Sequence, residues 1–491
     1  MILPSLALSF GLFMAPPGPQ LWQPLGPVEA ASPGLLWQQT VELSTQELFN
    51  QSRFQLPLSG NPEILQVDLQ PAWGGGWIWK GEIAQDPHGQ VLLAIVQDTV
   101  AGTIRWQERT YQLQPLGPGK CRLQEVDFDR LPQCGQDQHH AVTLPQSRSG
   151  SSSSSRSSSS HAVVDSLVCY TPQAAAAGGG ASGMEATAIL SVAETNQGYE
   201  ASQVNQRIEL VHVAEMVGYT EHNDYGTNLS RLRNNGDGYM DEAHTLRDQY
   251  GADVVTLLVA NSAYCGVAYL MTNVGHSFES WAFNVVTYWC SAGIFAYGHE
   301  LGHNFGCHHD RQNASQGAYA YSYGYRTPGN EYRTVMAYSP GNQVNLYSNP
   351  NITHQGFAMG IADPDPDSAE NWKTLNNTAS TTSQWRASVA PILDVGALIA
   401  GQAADLCIRN AQPNAAILLG YSTTGPGPTN TIYGAVELSP PILSLPMTAD
   451  SVGYAELGQT IPLSMKWVTL WLQAVDLSST GLSDGTIAFI Q

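Results

Sequence analysis

Histidine, glutamate and glycine occur between residues 299 and 310 at spacings that can bind and use a metal ion. The segment reads HELGHNFGCHHD. His299 and His303 are four residues apart, so on a helix their side chains project from one face. Gly306 allows a sharp turn after the helix, and this turn lets His309 complete a site of three imidazoles. Three neutral imidazoles with an open fourth position are typical of catalytic zinc, whereas structural zinc has four protein ligands.

Glu300 is the residue that could carry out chemistry at such a site. It directly follows the first histidine and can reach a water molecule bound to the same metal. Zinc lowers the pKa of that water to about 7, and a carboxylate can take its proton as it attacks a carbonyl carbon. The pattern therefore predicts a hydrolase with Glu300 as catalytic base. His308 is one position short of the ligand spacing, and we expect it to be a neighbour on the solvent side.

The whole segment resembles the HExxHxxGxxHD signature of the metzincin zinc endopeptidases. Asp310 makes it similar to the adamalysin, or reprolysin-type, branch. The resemblance implies structural roles at the site for Gly306, for Asp310 and for Met336, whose sequence context TVMAYSP is similar to the Met-turn beneath the zinc histidines. Tyr338 is similar to a tyrosine of the astacin and serralysin branches that ligates zinc or stabilises the oxyanion, and it is the second catalytic candidate.

Other stretches resemble secreted bacterial reprolysin-like proteases, and this likeness covers about residues 161–388. They are the first strand with its YTP ending, DGYMDEAH (237–244), CGVAYLM (265–271), AFNVV (282–286) and YSNPN (347–351). The resemblance implies that the strand near CGVAYL is a sheet edge that pairs with an extended substrate backbone. Calcium is a second cofactor that the resemblance allows, although no loop with calcium-ligand spacing is evident.

Hydrophobic patterning predicts a mixed α/β domain with β-rich regions on both sides. Short runs of β-branched and aromatic residues predict strands at 76–83, 91–96, 102–107 and 109–116. Beyond them, strands at 163–172, 207–215 and 252–260 alternate with helices at 184–200 and 239–250, the second beginning near Asp237. From about residue 390 the helix signal disappears and short strands alternate with turns, as in a β-sandwich.

The 491 residues therefore divide into five predicted segments. Residues 1–20 are a candidate signal peptide, because 2–15 are apolar, although they carry no basic residue and a plain apolar terminus is the alternative. Residues 21–146 are a β-rich propeptide, and 147–160 (SRSGSSSSSRSSSS) are a Ser-rich linker open to proteolysis. Residues 161–388 are the metzincin catalytic domain, with a twisted sheet and an active-site helix. Residues 389–491 are a C-terminal β-sandwich accessory domain.

Charge and cysteine content indicate the compartment and the partners. The net charge of −21 disfavours binding to nucleic acid or to an anionic membrane surface. Seven cysteines suit a secreted enzyme with one or two bridges. We expect a disulfide between Cys265 and Cys290, which flank the segment between the edge strand and the active-site helix. Cys307 could pair with Cys169 or Cys407, or remain a free buried thiol.

Cys134 is a candidate for keeping the enzyme latent. The stretch PQCGQDQ (132–138) resembles the cysteine switch of matrixin proenzymes, in which a propeptide thiolate occupies the fourth position of zinc. Gln133 stands where the matrixin pattern has arginine. A Cys121–Cys134 bridge within the N-terminal region is the competing interpretation.

Together these features predict a secreted, monomeric, zinc-dependent endopeptidase that acts on proteins or peptides and is made as a zymogen. One alternative is an extracellular binding or adhesion protein whose metzincin domain has lost activity. Another is a zinc hydrolase that acts on amides or esters other than peptides. Retention of His299, Glu300, His303 and His309 argues against the binding protein.

Overall fold

The computed structural model describes most of the chain outside its first residues and the Ser-rich linker. The described residues are 18–30, 34–132, 134–135, 141–142, 162–386, 391–412, 414–427, 429–432, 434–451, 453–477, 482–483 and 485–491. Most of the candidate signal peptide and all of the predicted linker at 147–160 lie outside them. Among the described residues, none of the helices combines the length and apolar character needed to span a bilayer.

Strands dominate the N-terminal region, as the sequence predicts. They are β1 Gln23–Pro24, β2 Glu29–Ala30, β3 Leu35–Glu42, β4 Arg53–Gln55, β5 Glu63–Ala72, β6 Gly76–Ile83, β7 Asp86–Val96, β8 Thr99–Trp106, β9 Arg109–Gly117, β10 Lys120–Val126 and β11 Ala141–Val142. The first ten form one antiparallel sheet in the order β1-β3-β10-β9-β8-β7-β6-β5-β4, with β2 paired to β3. On one face of this sheet, side chains of the N-terminal region pack into an apolar core that includes Trp22 and Trp79.

Seven α-helices occur among the described residues. They are α1 Thr45–Asn50, α2 Pro172–Ala177, α3 Gly180–Ala201, α4 Tyr225–Arg233, α5 Asp241–Tyr250, α6 Ala296–Asn304 and α7 Asn371–Thr382. Short 3-10 turns span Trp73–Gly75, His276–Trp281 and Leu463–Met465. The predicted helix at 184–200 is confirmed as part of α3. The predicted start of α5 is wrong by two residues, because Met240 has a φ of 51° and the carboxylate of Asp237 instead accepts a hydrogen bond from Tyr239 N in the preceding turn.

A mixed five-stranded sheet forms the centre of the molecule. The strands of this central part are β12 Ala162–Tyr170, β13 Gln206–Glu215, β14 Val254–Val259, β15 Gly266–Ala268, β16 Leu270–Met271, β17 Phe283–Thr287, β18 His308–Asp310, β19 Tyr323–Gly324, β20 Tyr332–Arg333, β21 Asn342–Gln343, β22 Asn349–His354 and β23 Phe357–Met359. The sheet order is β13-β12-β14-β17-β15. All neighbours are parallel except β15, which runs antiparallel at the edge. Every residue of β14 is buried, as expected for a strand covered on both faces.

The second face of the N-terminal sheet lies against this central part. Ile78, Leu92 and Val96 from β6 and β7 belong to the same buried cluster as Ile189 and Leu190 of α3. This contact explains why VLLAIV is continuously apolar rather than alternating, since both faces of β7 are covered there. The sheet thus covers α3, which itself contacts α6.

The C-terminal strands surround a separate apolar core. They are β24 Ile392–Val395, β25 Leu406–Arg409, β26 Ala416–Ser422, β27 Thr429–Thr431, β28 Gly434–Val436, β29 Leu443–Thr448, β30 Ala455–Glu456, β31 Thr469–Asp476 and β32 Thr486–Phe489. They pair as a three-stranded sheet (β24-β25-β30), a four-stranded sheet (β29-β26-β31-β32) and a hairpin (β27-β28). Ile408 and Leu419, from the two larger sheets, share one core.

Candidate metal centre

Helix α6 and the turn that follows it bring the three predicted histidines together. His299 and His303 lie one turn apart on α6, and the helix ends where Cys307 N donates to Gly302 O at 2.8 Å. Gly306 has a φ of 96°, and a Cβ there would lie 2.6 Å from Ala318 Cβ, so both the backbone angle and the space require glycine. The chain then reverses into β18, which carries His309.

The three imidazoles converge through their Nε2 atoms. His303 Nε2 lies 3.2 Å from His299 Nε2 and 3.0 Å from His309 Nε2. The Sγ atom of Cys134 joins this group, and the four candidate ligand atoms lie within 4.8 Å of one another. All four residues are buried, with His303 and His309 fully so.

Backbone carbonyls orient two of these rings for metal binding. His299 Nδ1 lies 2.9 Å from Val335 O, and His303 Nδ1 lies 3.0 Å from Cys307 O. A carbonyl oxygen can only accept a hydrogen bond, so each Nδ1 carries the proton and each Nε2 presents a lone pair. Lone pairs that face one another at this distance repel unless a cation lies between them.

The donor set fits zinc. A tetrahedral zinc ion with Zn–N distances of about 2.0–2.1 Å separates its nitrogen ligands by roughly 3.3 Å. The two measured Nε2–Nε2 distances, 3.0 and 3.2 Å, are close to this value. Imidazole nitrogens and a cysteine sulfur are also the ligand types that zinc prefers, whereas calcium and magnesium prefer oxygen.

The segment after β20 supports the site from below. Met336 is fully buried, and a Cβ on Gly302 of α6 would lie 2.5 Å from its Sδ, so the methionine lies directly beneath the helix. Asp310 holds the same segment: its Oδ2 accepts a hydrogen bond from Tyr338 N at 3.1 Å, and its Oδ1 pairs with Arg326 at 2.9 Å. Met336 and Asp310 therefore lie where the sequence comparison expected structural residues.

Glu300 lies beside the histidine cluster and is 1% exposed. Its Oε1 accepts a hydrogen bond from the Cys134 thiol at 2.8 Å, while Oε2 is buried without a hydrogen-bond partner among the described residues. Burial raises the pKa of the Glu300 carboxyl to about 8, and the bond from Cys134 opposes this shift. Burial and the Glu300 carboxylate raise the pKa of the Cys134 thiol well above its ordinary value. Gly266 on β15 makes room for the carboxylate, since a Cβ there would lie 2.5 Å from Oε1.

A segment of the N-terminal region occupies the cleft over this cluster. Gly135 N donates to Gly266 O of the edge strand at 3.1 Å, and β11 pairs in parallel with β16 farther along. Tyr338 OH donates to the carbonyl of Cys134 at 3.0 Å. Residues 296–304 of α6 are all buried.

The cysteines and His308 also have clear positions. Cys265 is bonded to Cys290 in a disulfide, as expected. No Cys121–Cys134 bridge forms, and Cys307 is a free buried thiol. The expectation that His308 faces solvent is wrong: it is 6% exposed, and its Nδ1 accepts a hydrogen bond from His309 N, because β18 is covered on both sides.

Three features of the site were not found from the sequence. Asn304 joins α6 to the sheet by donating to Tyr269 O at 2.9 Å, and its position directly after His303 was the available signal. Arg333 lines the cavity beside Glu300, three residues ahead of Met336. The third is a partly buried ion pair, at 3.4 Å, between Arg105 of the N-terminal sheet and Glu194 of α3.

Comparison with known proteins agrees with this geometry. Residues 160–348 match the model of metallo-peptidase family M12. A peptidyl-Asp metalloendopeptidase of Stenotrophomonas maltophilia (strain R551-3) is 37% identical over 344 residues, which are 64% of this chain and 78% of that protein. A peptidyl-Asp metalloendopeptidase of Xanthomonas campestris pv. campestris is 36% identical over 348 residues, which are 65% and 78% of the two chains. One from Pseudomonas aeruginosa is 28% identical over 256 residues, 46% of this chain and 41% of its own.

Proposed function

This chain belongs to the M12 metallopeptidases and is a metalloendopeptidase, and on that premise we propose that it uses zinc to cleave proteins beside aspartate residues. The aspartate preference is taken from the names of the relatives. The observation that carries the proposal is the convergence of three imidazole nitrogens next to a buried carboxylate. Protein or peptide substrates follow from the family.

His299, His303 and His309 would hold the zinc ion. Bound zinc supplies Lewis-acid chemistry, which activates water and polarises a carbonyl group. Two of the three rings are already oriented by the carbonyl groups of Val335 and Cys307, so little side-chain freedom is lost on binding. Met336 supports the helix that carries two of the ligands.

Glu300 acts as the general base in this proposal. Its carboxylate takes a proton from the attacking water and returns it to the leaving nitrogen of the peptide. Two features support this role: the buried Oε2 has no hydrogen-bond partner among the described residues, and glycine at position 266 lets the edge strand approach Oε1. Exclusion of bulk water strengthens the electrostatic interactions of such a carboxylate.

The edge strand and Tyr338 bind the substrate backbone. Gly266 O already accepts a hydrogen bond from the backbone N–H of Gly135, and a substrate added to the sheet edge would bond to it in the same way. The hydroxyl of Tyr338 already donates to a backbone carbonyl, that of Cys134. We propose that the same hydroxyl stabilises the carbonyl oxygen of a substrate as negative charge develops on it.

Residues 21–146 act as a propeptide that keeps the enzyme latent. Cys134 Sγ is 4.0 Å from His303 Nε2, so the thiolate could occupy the fourth zinc position and exclude water. Gly135 also hydrogen-bonds to the edge strand that a substrate needs. Cleavage in the Ser-rich stretch at 147–160 would allow the N-terminal region to leave, which would free both the fourth zinc position and the edge strand.

Secretion and an accessory role for residues 389–491 complete the proposal. The Cys265–Cys290 disulfide suits an oxidising compartment. We interpret the C-terminal β-strands as an accessory domain, because their apolar core is separate from that of the catalytic part.

Metal analysis and a casein assay on Glu300→Gln test the proposal. The processed wild type should hold one zinc ion per chain and cleave casein in a chelator-sensitive manner, and Glu300→Gln should keep the zinc but lose at least about 1,000-fold in kcat. Glu242→Gln, an exposed glutamate on α5, is the matched control and should remain active. Zinc without proteolysis in the processed wild type would favour a binding protein or a hydrolase of other amides or esters.

A further inference from the structure

We propose that Arg333 binds the side-chain carboxylate of the substrate aspartate and so fixes where the chain is cut. This inference rests on the proposed function and names the residue that would give it its specificity. Arg333 lies on β20 and lines the cavity that Glu300 also lines.

The cavity lies directly beside the proposed catalytic carboxylate. Helix α6 bounds it on one side and the segment 337–343 bounds it on the other. Phe128 and Leu131 of the N-terminal region line it too, and about 50 Å³ of space remains with that region in place. A substrate residue next to the scissile bond would direct its side chain into this space once the N-terminal region has left.

The Arg333 guanidinium is held in place by its own loop. Its Nε donates to Gly341 O at 3.0 Å, and its Nη1 donates to Ala337 O at 2.6 Å. Its Nη2 donates only weakly to Phe128 O, at 3.4 Å, and Phe128 belongs to the N-terminal region. When the N-terminal region leaves, Nη2 loses its bond to Phe128 O and becomes free to bind a ligand in the cavity. The bonds to Gly341 O and Ala337 O continue to hold the guanidinium in place.

Arg333 is buried, and the described carboxylates that act on it, Asp129 and Asp310, do so from beyond ion-pair distance. It is 6% exposed, and no described carboxylate lies within ion-pair distance of it. Arg247, the other arginine buried to this extent among the described residues, pairs with Glu279 at 3.2 Å. Burying a guanidinium costs free energy unless an anion neutralises it. A substrate carboxylate that bound here would therefore be stabilised by Arg333.

The charge and shape of the site select aspartate. Burial lowers the pKa of Arg333 to about 10, so the guanidinium stays charged at neutral pH. Apart from His299, it is the one basic side chain among the described residues that line the cavity. A planar guanidinium binds a carboxylate through two parallel hydrogen bonds, and it binds the neutral amide of asparagine far less well.

The test compares Arg333→Met with the wild type on matched peptides. The processed protein is assayed on peptides that differ at one position only, which holds Asp, Asn, Ala or Lys. The wild type should cleave the Asp peptide at least about 100-fold faster in kcat/KM than the Asn peptide. Arg333→Met should lose this ratio while still cleaving the Ala peptide, and Arg333→Glu should favour the Lys peptide.

Arg207→Met is the matched control, because Arg207 also donates to two backbone carbonyls but lies away from the cavity. Its Asp-to-Asn ratio should equal that of the wild type. A purely structural role for Arg333 would lower kcat/KM equally for all peptides and leave the ratio intact, which overturns the inference. A wild type that cleaves no peptide would instead overturn the proposed function.

A second measurement uses the wild type alone, in case the variants do not fold. Phenylglyoxal modifies accessible arginines, and the modified sites are mapped by mass spectrometry. In the processed protein, a product peptide with Asp should protect Arg333 and the corresponding Asn peptide should not. Equal protection by both, or none by either, would contradict the assignment.

Discussion

In the proposed zymogen, the ion pair between Arg105 and Glu194 should decide how firmly the N-terminal region holds the enzyme latent. Arg105 belongs to β8, and Glu194 belongs to α3 beneath the active-site helix. Their side chains are 18% and 4% exposed, and their charged atoms are 3.4 Å apart. Glu194 also accepts a hydrogen bond from Gly293 N at 2.6 Å, and Arg105 lies over the ring of Phe295, which precedes α6.

Arg105→Met leaves the Glu194 carboxylate buried without its cation. Removing one partner of a buried ion pair costs about 3–5 kcal/mol, and the partial exposure of Arg105 places this pair at the lower end of that range. Burial already raises the pKa of Glu194, so protonation can recover part of this cost. We therefore expect the contact between the two regions to weaken by about 3 kcal/mol, which raises the undocked fraction by roughly 150-fold, since 1.4 kcal/mol is a factor of ten.

Basal peptidase activity of the unprocessed chain is the assay. It should rise roughly in proportion to the undocked fraction in Arg105→Met. The processed forms should have equal kcat/KM, because Arg105 lies in the proposed propeptide and is absent from them. Arg109→Met is the control: Arg109 pairs with Glu125 inside the N-terminal sheet and is 62% exposed, so its loss should have little effect. Equal basal activity in Arg105→Met and the wild type, with both folded, would refute the reasoning.

Three further outcomes are expected. Cys134→Ser should raise the basal activity of the unprocessed chain by at least tenfold without changing the processed enzyme, because a hydroxyl is a poorer zinc ligand than a thiolate; unchanged latency would count against the switch. Gly306→Ala should weaken zinc binding and lower the Tm, because a φ of 96° strains an alanine by about 1–3 kcal/mol. Asp253 is 1% exposed, and burial raises its pKa to about 8. The protonated carboxyl therefore contributes its full stability below about pH 4, and this contribution is lost as the pH rises to about 8. In Asp253→Asn the Tm should change less with pH across that window, and equal slopes of Tm against pH in variant and wild type would contradict this.

The metal ligands and the N-terminal strands could be predicted from the sequence, because the spacing of nearby residues determines both. The spacing of His299 and His303 on a helix, followed by glycine at 306, determines how the ligands converge, and the structure shows this convergence. The predicted strands of the N-terminal region are also present, since their turn signals and β-branched runs are local.

Features that depend on contacts between distant segments could not be predicted in this way. Arg333 and Phe128 are 205 residues apart in the chain, and Arg105 and Glu194 are 89 apart. No periodicity links such pairs, because only the docking of the N-terminal sheet brings them together. The burial of His308 was missed for a related reason, because β18 is paired with β19, which lies farther along the chain.

X-ray absorption at the zinc edge, on the unprocessed and the processed chain, tests whether three histidines and Cys134 hold the metal. We expect one zinc ion with three imidazole nitrogens in both forms, and one sulfur ligand in the unprocessed chain that is replaced by oxygen after processing. Fewer than three imidazole nitrogens in either form, or an unprocessed site without sulfur, would contradict this expectation.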